Sequence, residues 1–157
     1  MDPKNMSPNG IEEYLKTARE PDRSIFLDRL VEEFEVTDNS AKRNSLALLF
    51  AEYGKEMALT PIVKMIQNQK SHKNRGTLLY ALNQIDYIEQ LEYLFTLVFD
   101  DNFEVKREAY MLVESAIENN ADNVDKVKKN VGRVIQTIRQ LQEDMDFYVS
   151  VLELISK

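Results

Sequence analysis

The chain has 157 residues, 30% of them charged and 43% hydrophobic, with a formal net charge of −7. That length suits one globular domain with a core of its own, and the absence of cysteine excludes disulfide frameworks, zinc–thiolate sites and thiol nucleophiles. The acidic balance disfavours a free nucleic-acid binder, whose affinity comes mainly from neutralising phosphates, and four Gly with four Pro favour helices on short loops over a turn-rich β fold.

The opening stretch, MDPKNMSPNG, is polar and unlike a signal peptide, and no apolar run is long enough for a bilayer. A cytoplasmic location is the expectation. Ile11, Tyr14, Leu15 and Ala18 predict a short amphipathic helix, with Asn9 and Glu12 at capping-box spacing. This segment, 9–20, reads as a cap on the units that follow.

From Ile25 to Glu118 the sequence repeats every 32 residues without a gap. Leu27, Leu59 and Leu91 share a column, as do Leu30, Ile62 and Leu94, then Val31, Val63 and Phe95, then Phe34, Ile66 and Val98. Further on, Arg43, Arg75 and Arg107 align, then Leu46, Leu78 and Tyr110, then Tyr53, Ile85 and Ile117. Within a unit the apolar spacing is three and four, so each unit (22–54, 55–86, 87–119) is predicted to be two helices. Asp22, after Pro21, is a candidate cap for the first helix of the first unit, and Asp86 with Glu89 for that of the third. Ser71 and Asn102 stand where second helices should begin, and Pro61 requires its helix to start or kink there.

Beyond Asn120 the register gives way to a heptad seam of Val124, Val127, Val131, Val134, Ile138, Leu141, Met145, Tyr148, Leu152 and Ile155. One reading is a single helix of about 50 Å that overhangs the units and pairs with another chain. The other is two helices, broken near Gln142 to Asp146, that close the domain. Phe147, Val149, Val151 and Leu154 make the last stretch apolar nearly all round, which favours enclosure and the second reading. Segment 122–157 is therefore expected to be a pair of capping helices, and a monomer is favoured over a homodimer through this end.

A two-helix unit cannot bury both faces by itself, so units of this length stack. FDDNFEVKREAYMLVESAI, Phe99 to Ile117, resembles the second half of a HEAT-like repeat, of the short phycobilisome-lyase type. The Trp, Gly-Tyr and Ala-Phe signature of tetratricopeptide repeats is missing, and Ala41 and Lys73 depart from the valine seen at Val105. The resemblance implies an all-α, right-handed α-α superhelix (an α-solenoid) of three helix pairs capped at both ends, forming a single domain over 1–157. It also implies that the second helices line the concave side, where ligands bind.

No GxGxxG, P-loop or HExxH motif occurs. His72, the single histidine, reads as a solvated turn residue, and adjacent acids such as Glu32-Glu33 fall on different helical faces. No catalytic, cofactor or metal residue is assigned. The candidate partner-binding set follows the arginine column: Arg43, Asn44, Arg75, Tyr80, Asn83, Arg107, Glu108 and Ser115. Three guanidiniums at a regular interval suit a carboxylate-rich peptide or a phosphate backbone. Their competing use is structural, with Asp38 and Asp101 as partners for Arg43 and Arg107. Charge is segregated too: Asp86 to Glu104 holds six acids and no base, and Asp122 to Arg139 is basic, with Lys126, Lys129 and Arg133 on one helical face.

The leading expectation is a non-enzymatic module that holds a protein or peptide along its second helices. The alternatives are a nucleic-acid enzyme similar to the HEAT-like alkylpurine DNA glycosylases, a lyase or chaperone acting on a chromophore protein, and an acidic neutraliser of a basic protein such as a toxin.

Overall fold

The structure, a computed structural model, describes residues 2–119 and 124–155, and among these no strand occurs. The helices are α1 (Pro8–Thr17), α2 (Asp22–Val36), α3 (Ser40–Tyr53), α4 (Leu59–Gln67), α5 (Gly76–Leu82), α6 (Leu91–Thr96), α7 (Phe103–Asn119) and α8 (Val124–Ile155). Short 3-10 turns at Lys55–Met57, Gln69–Asn74, Ile88–Gln90 and Leu97–Phe99 join several of them. In the first unit α2 and α3 are the two helices of the pair; in the second they are α4 and α5, and in the third α6 and α7.

Side chains set most of the helix starts, though not always the expected ones. Ser7 caps α1 by accepting from the Gly10 N–H at 3.2 Å, with Pro8 in the first helical position, so the start lies two residues before the expected Asn9. Asp22 is the first residue of α2 and makes no cap bond; Glu20 accepts from the Ser24 N–H at 3.3 Å instead. Asn39 caps α3 through the Lys42 N–H at 3.0 Å. Asp86 accepts from the Ile88 N–H at 3.3 Å and so heads the turn before α6. Ser71 does not open a helix. It is buried in the 3-10 turn, its hydroxyl donating to the carbonyls of Asn68 and Met65, and α5 begins only at Gly76. Asn102 does cap α7, accepting from Glu104 at 2.9 Å and Val105 at 3.3 Å. Pro61 falls in the first turn of α4, where a backbone N–H has no helical acceptor to lose.

The second helices form a row in which α3 packs on α5 and α5 on α7, and α1 lies against α3. Tyr14 meets Phe26 at 4.4 Å between ring centres, which ties α1 to α2 as well. Phe34 and Phe50 join α2 to α3 edge to face at 5.4 Å. The first-helix columns keep their period, for Leu30, Ile62 and Leu94 are all fully buried. The second-helix columns keep it only once. Leu46 and Leu78 are buried, but Tyr110 is 53% exposed. In α7 the buried apolar residues are Val105, Ala109, Leu112, Val113 and Ala116. These stand two places later than the 32-residue period requires and answer to Ser71, Arg75, Leu78, Leu79 and Leu82. Two residues turn a helix by about 200°, so α7 shows solvent the face that the period would have buried.

α8 runs unbroken from Val124 to Ile155, which corrects the expected break near Gln142 to Asp146. It lies chiefly along α6, where Arg133 meets Glu92 at 3.3 Å. From Gln142 to Ser150 every side chain is exposed, as are Leu152 and Ile155. Residues 120–123 and 156–157, and the side chains of Val124, Lys126, Val127, Val131, Val134, Ile138, Leu141 and Leu154, lie outside the described residues.

Because Asn102 serves two amides at the head of α7, Asn102→Ala should cost about 1 kcal/mol. Asn9→Ala, two residues past the true cap, should stay within about 0.5 kcal/mol of the parent. Urea midpoints for the two variants check the pair.

Candidate functional site

The three arginines do not form a surface ladder. Arg43 is 1% exposed, and its guanidinium reaches the carbonyls of Thr37 and Lys70 at 3.5 Å each. Its Nε is buried without a partner. Arg75 is buried as well: Nε faces the His72 carbonyl at 3.4 Å, and Nη2 pairs with Asp100 Oδ2 at 2.9 Å. Both therefore reach from a second helix into the turn that precedes the next one. Arg107 differs because α7 is turned. Its side chain is 58% exposed, and Nε and Nη2 both donate to Oε1 of the adjacent Glu108, Nε at 3.1 Å. That hydrogen-bonded carboxylate holds the Arg107 guanidinium above its ordinary range. Arg43 thus meets backbone carbonyls in place of the expected Asp38, and Arg107 meets Glu108 in place of Asp101.

The other candidates divide in the same way. Asn44 is half-buried and bonds Thr77 of α5 at 3.3 Å, joining two second helices. Ser115, also half-buried, accepts from Asn119 at 3.0 Å on its own helix, and Asn83 is exposed just past the end of α5. Tyr80, Arg107 and Glu108 come together. With Gly76, Thr77 and Glu104 they line an open cleft of about 210 Å³ between α5 and α7. A methyl group on Gly76 would stand 3.2 Å from Glu104 Cβ, so the absence of a side chain there lets the two helix starts approach. The cleft presents one phenol, one hydroxyl, one guanidinium and two carboxylates. That set can hydrogen-bond and ion-pair with a chain carrying both signs of charge. It holds no activated nucleophile, and His72 lies outside it.

Among the described residues no group of three or more His, Asp or Glu side chains converges as metal ligands would, and no helix is long and apolar enough to cross a membrane. Sequence reasoning missed the apolar residues that α7 leaves open: Phe103, Tyr110, Met111 and Ile117 are each at least half exposed. The available signal was the apolar run Val105, Ala109, Leu112, Val113 and Ala116, which competes with the 32-residue columns for the core. No family model, curated protein or solved structure matches the chain.

Arg75 and Asp100 are both about nine-tenths buried, so Arg75→Ala strands a carboxylate and should cost about 3–5 kcal/mol. Replacing both, as Arg75→Met with Asp100→Leu, should return much of that loss, while Arg107→Ala, which removes the exposed partner of the buried Glu108 carboxylate, should cost clearly less than Arg75→Ala, because the vacated place admits water. Equal losses for Arg75→Ala and Arg107→Ala would show that the two arginines share one structural role.

Proposed function

We propose that this chain is a short HEAT-like α-solenoid that acts without catalysis, holding a polypeptide in the groove between its second helices. The observation that carries this reading is the α5–α7 cleft, in which the exposed Tyr80 ring stands beside Arg107, Glu104 and Glu108. A flat aromatic surface next to both signs of charge suits a peptide segment. Tyr and Arg are the residues from which interfaces draw most of their energy. Asn44 with Thr77 and the half-buried Leu48 on α3 continue the same outer surface toward the first unit.

The burial of Arg43 and Arg75 weighs against the nucleic-acid alternative, because two of the three guanidiniums that would meet phosphates are enclosed. Phosphate contact is the main source of such affinity, and the cleft that remains carries more carboxylates than cations. The reading of an acidic neutraliser rests on Asp86, Glu89, Glu92 and Asp101, which are exposed around α6. Part of that surface already meets the chain's own Arg133.

A displayed peptide library selected on the full chain tests the groove. Peptides should emerge whose affinity falls about 30-fold or more in Tyr80→Ala or Arg107→Ala, as for truncation of a central interface residue. Binders indifferent to both substitutions would place the site elsewhere. Capture of single-stranded DNA at low salt, with no peptide selected, would overturn the reading.

A further inference from the structure

In the row of second helices each member offers one side to its successor. Asn44 of α3 bonds Thr77 of α5 at 3.3 Å, and Gly76 of α5 lies against Glu104 of α7. These contacts join the start of each helix to the start of the next. Allowing for the turn of α7, the residue that corresponds to Asn44 and Gly76 is Tyr110. Tyr110 and its stripe neighbours Phe103 and Ile117 are 53%, 73% and 52% exposed. α8 does not close this side, since it lies mainly on α6 and then leaves the other helices behind.

The same chain carries an uncovered helix. Met145, Tyr148, Leu152 and Ile155, the last part of the heptad seam, are 65–77% exposed. The stretch spans about 16 Å at 1.5 Å per residue, and the open stripe from Phe103 to Ile117 about 21 Å. Charge agrees with a parallel seating. Lys106 and Arg107 stand near the start of α7, while Glu143 and Asp144 precede the apolar stretch and Asp146 lies in its first turn. Acids just before a helix are what Arg75 already meets at Asp100. α8 is one unbroken helix, and within one copy both its end and the Tyr110–Ile117 side of α7 are left exposed.

We propose that two copies of this chain exchange their C-terminal ends, the Met145–Ile155 part of each α8 seating on the open side of the partner's α7 through Tyr110 and Ile117. The exchange is reciprocal, so two such contacts form and the assembly closes as a two-fold dimer. Twelve half-exposed large side chains, at roughly 100 Å² each, give roughly 1,200 Å², the lower end of a standard stable interface. The apolar contact through Tyr110 and Ile117 uses no residue that lines the α5–α7 groove.

Sedimentation of the full chain should give a dimer at about 100 µM. Tyr110→Asp or Leu152→Asp should each convert it to monomer at that concentration with the helical circular dichroism retained, since both side chains face solvent within one copy. The chain has no cysteine of its own, so cross-linking can be placed at will. A Tyr110→Cys chain mixed with a Leu152→Cys chain should oxidise to a disulfide-linked pair of twice the monomer mass. A parent that sediments as a monomer overturns the proposal. So does a monomeric Tyr110→Cys/Leu152→Cys double variant that closes its disulfide within one chain, which would mean that α8 folds back. A dimer that survives both aspartate variants places the interface elsewhere and also overturns it.

Discussion

α5 is seven residues long, too short to be stable as a helix in water, where nucleation costs more than two turns of hydrogen bonding return. It exists because α3, α4 and α7 cover it on three sides. Leu78, Leu79, Ala81 and Leu82 are accordingly all fully buried. The rest of the described chain is arranged around that requirement. Gly76 lets α7 come close at the helix start, and Ser71 satisfies two carbonyls in the turn before it. On the far side of the turn Tyr87 donates to the Leu112 carbonyl at 2.8 Å, which ties the start of the third unit to α7. Burial pushes the Tyr87 phenol above its ordinary range, in keeping with a hydroxyl that serves only as a neutral donor here.

The two enclosed arginines solve one problem in different ways. A guanidinium taken out of water needs acceptors in the places it points to. Arg75 finds a carboxylate, so its pair is an ion pair shielded from solvent, and the loss of either member strands the other. Arg43 finds backbone instead. Thr37 is the residue at which α2 ends, where unpaired carbonyls carry the negative end of the helix dipole. The Lys70 carbonyl supplies the second contact from the following unit. Both arginines thus lock a helix to the turn of its successor, and both are lost to any ligand. A basic residue at a regular interval along a repeat is as well suited to holding the units together as to holding something else.

The helical class was legible from periods of three and four, and so were the first-helix columns, because Leu30, Ile62 and Leu94 meet the core with no competing pattern. The caps were half legible. Asn102 acts as its place in the sequence implied, but Asp86 bonds only the Ile88 N–H in the turn before α6, which starts without a side-chain cap, and Ser7 and Glu20 displaced Asn9 and Asp22 by local geometry that a spacing rule does not carry. The turn of α7 was hidden for a particular reason. Its two faces are both apolar enough to be buried: Tyr110 and Ile117 continue the 32-residue columns that Leu46 and Tyr53 begin, while Val105, Ala109 and Ala116 do not. The smaller side chains win the core, as Ala109 and Ala116 allow a closer approach at full burial. The aromatic set is left outside, and with it Arg107, which is why one member of the candidate site differs from the other two.

The two ends of the domain are treated unequally. At the start, α1 buries Ile11 and Leu15 completely and lies on α3, so the first second-helix is covered. At the other end α8 serves α6 and leaves α7 open. The charge order along α8 runs against its own dipole: Lys126, Lys128, Lys129, Arg133 and Arg139 stand in the first half, and Glu143, Asp144, Asp146 and Glu153 in the second. In isolation that order is unfavourable at both ends of a helix. It is compensated only by contact with other surfaces. The basic half already has one, in Glu92 of α6. The acidic half has none within its own chain among the described residues, and it borders the apolar seam at the point where α8 leaves the other helices. A segment that is unfavourably charged for its own helix, apolar on most sides and largely exposed is stabilised by whatever surface supplies cations beside an apolar stripe. Lys106 and Arg107 flank such a stripe on α7.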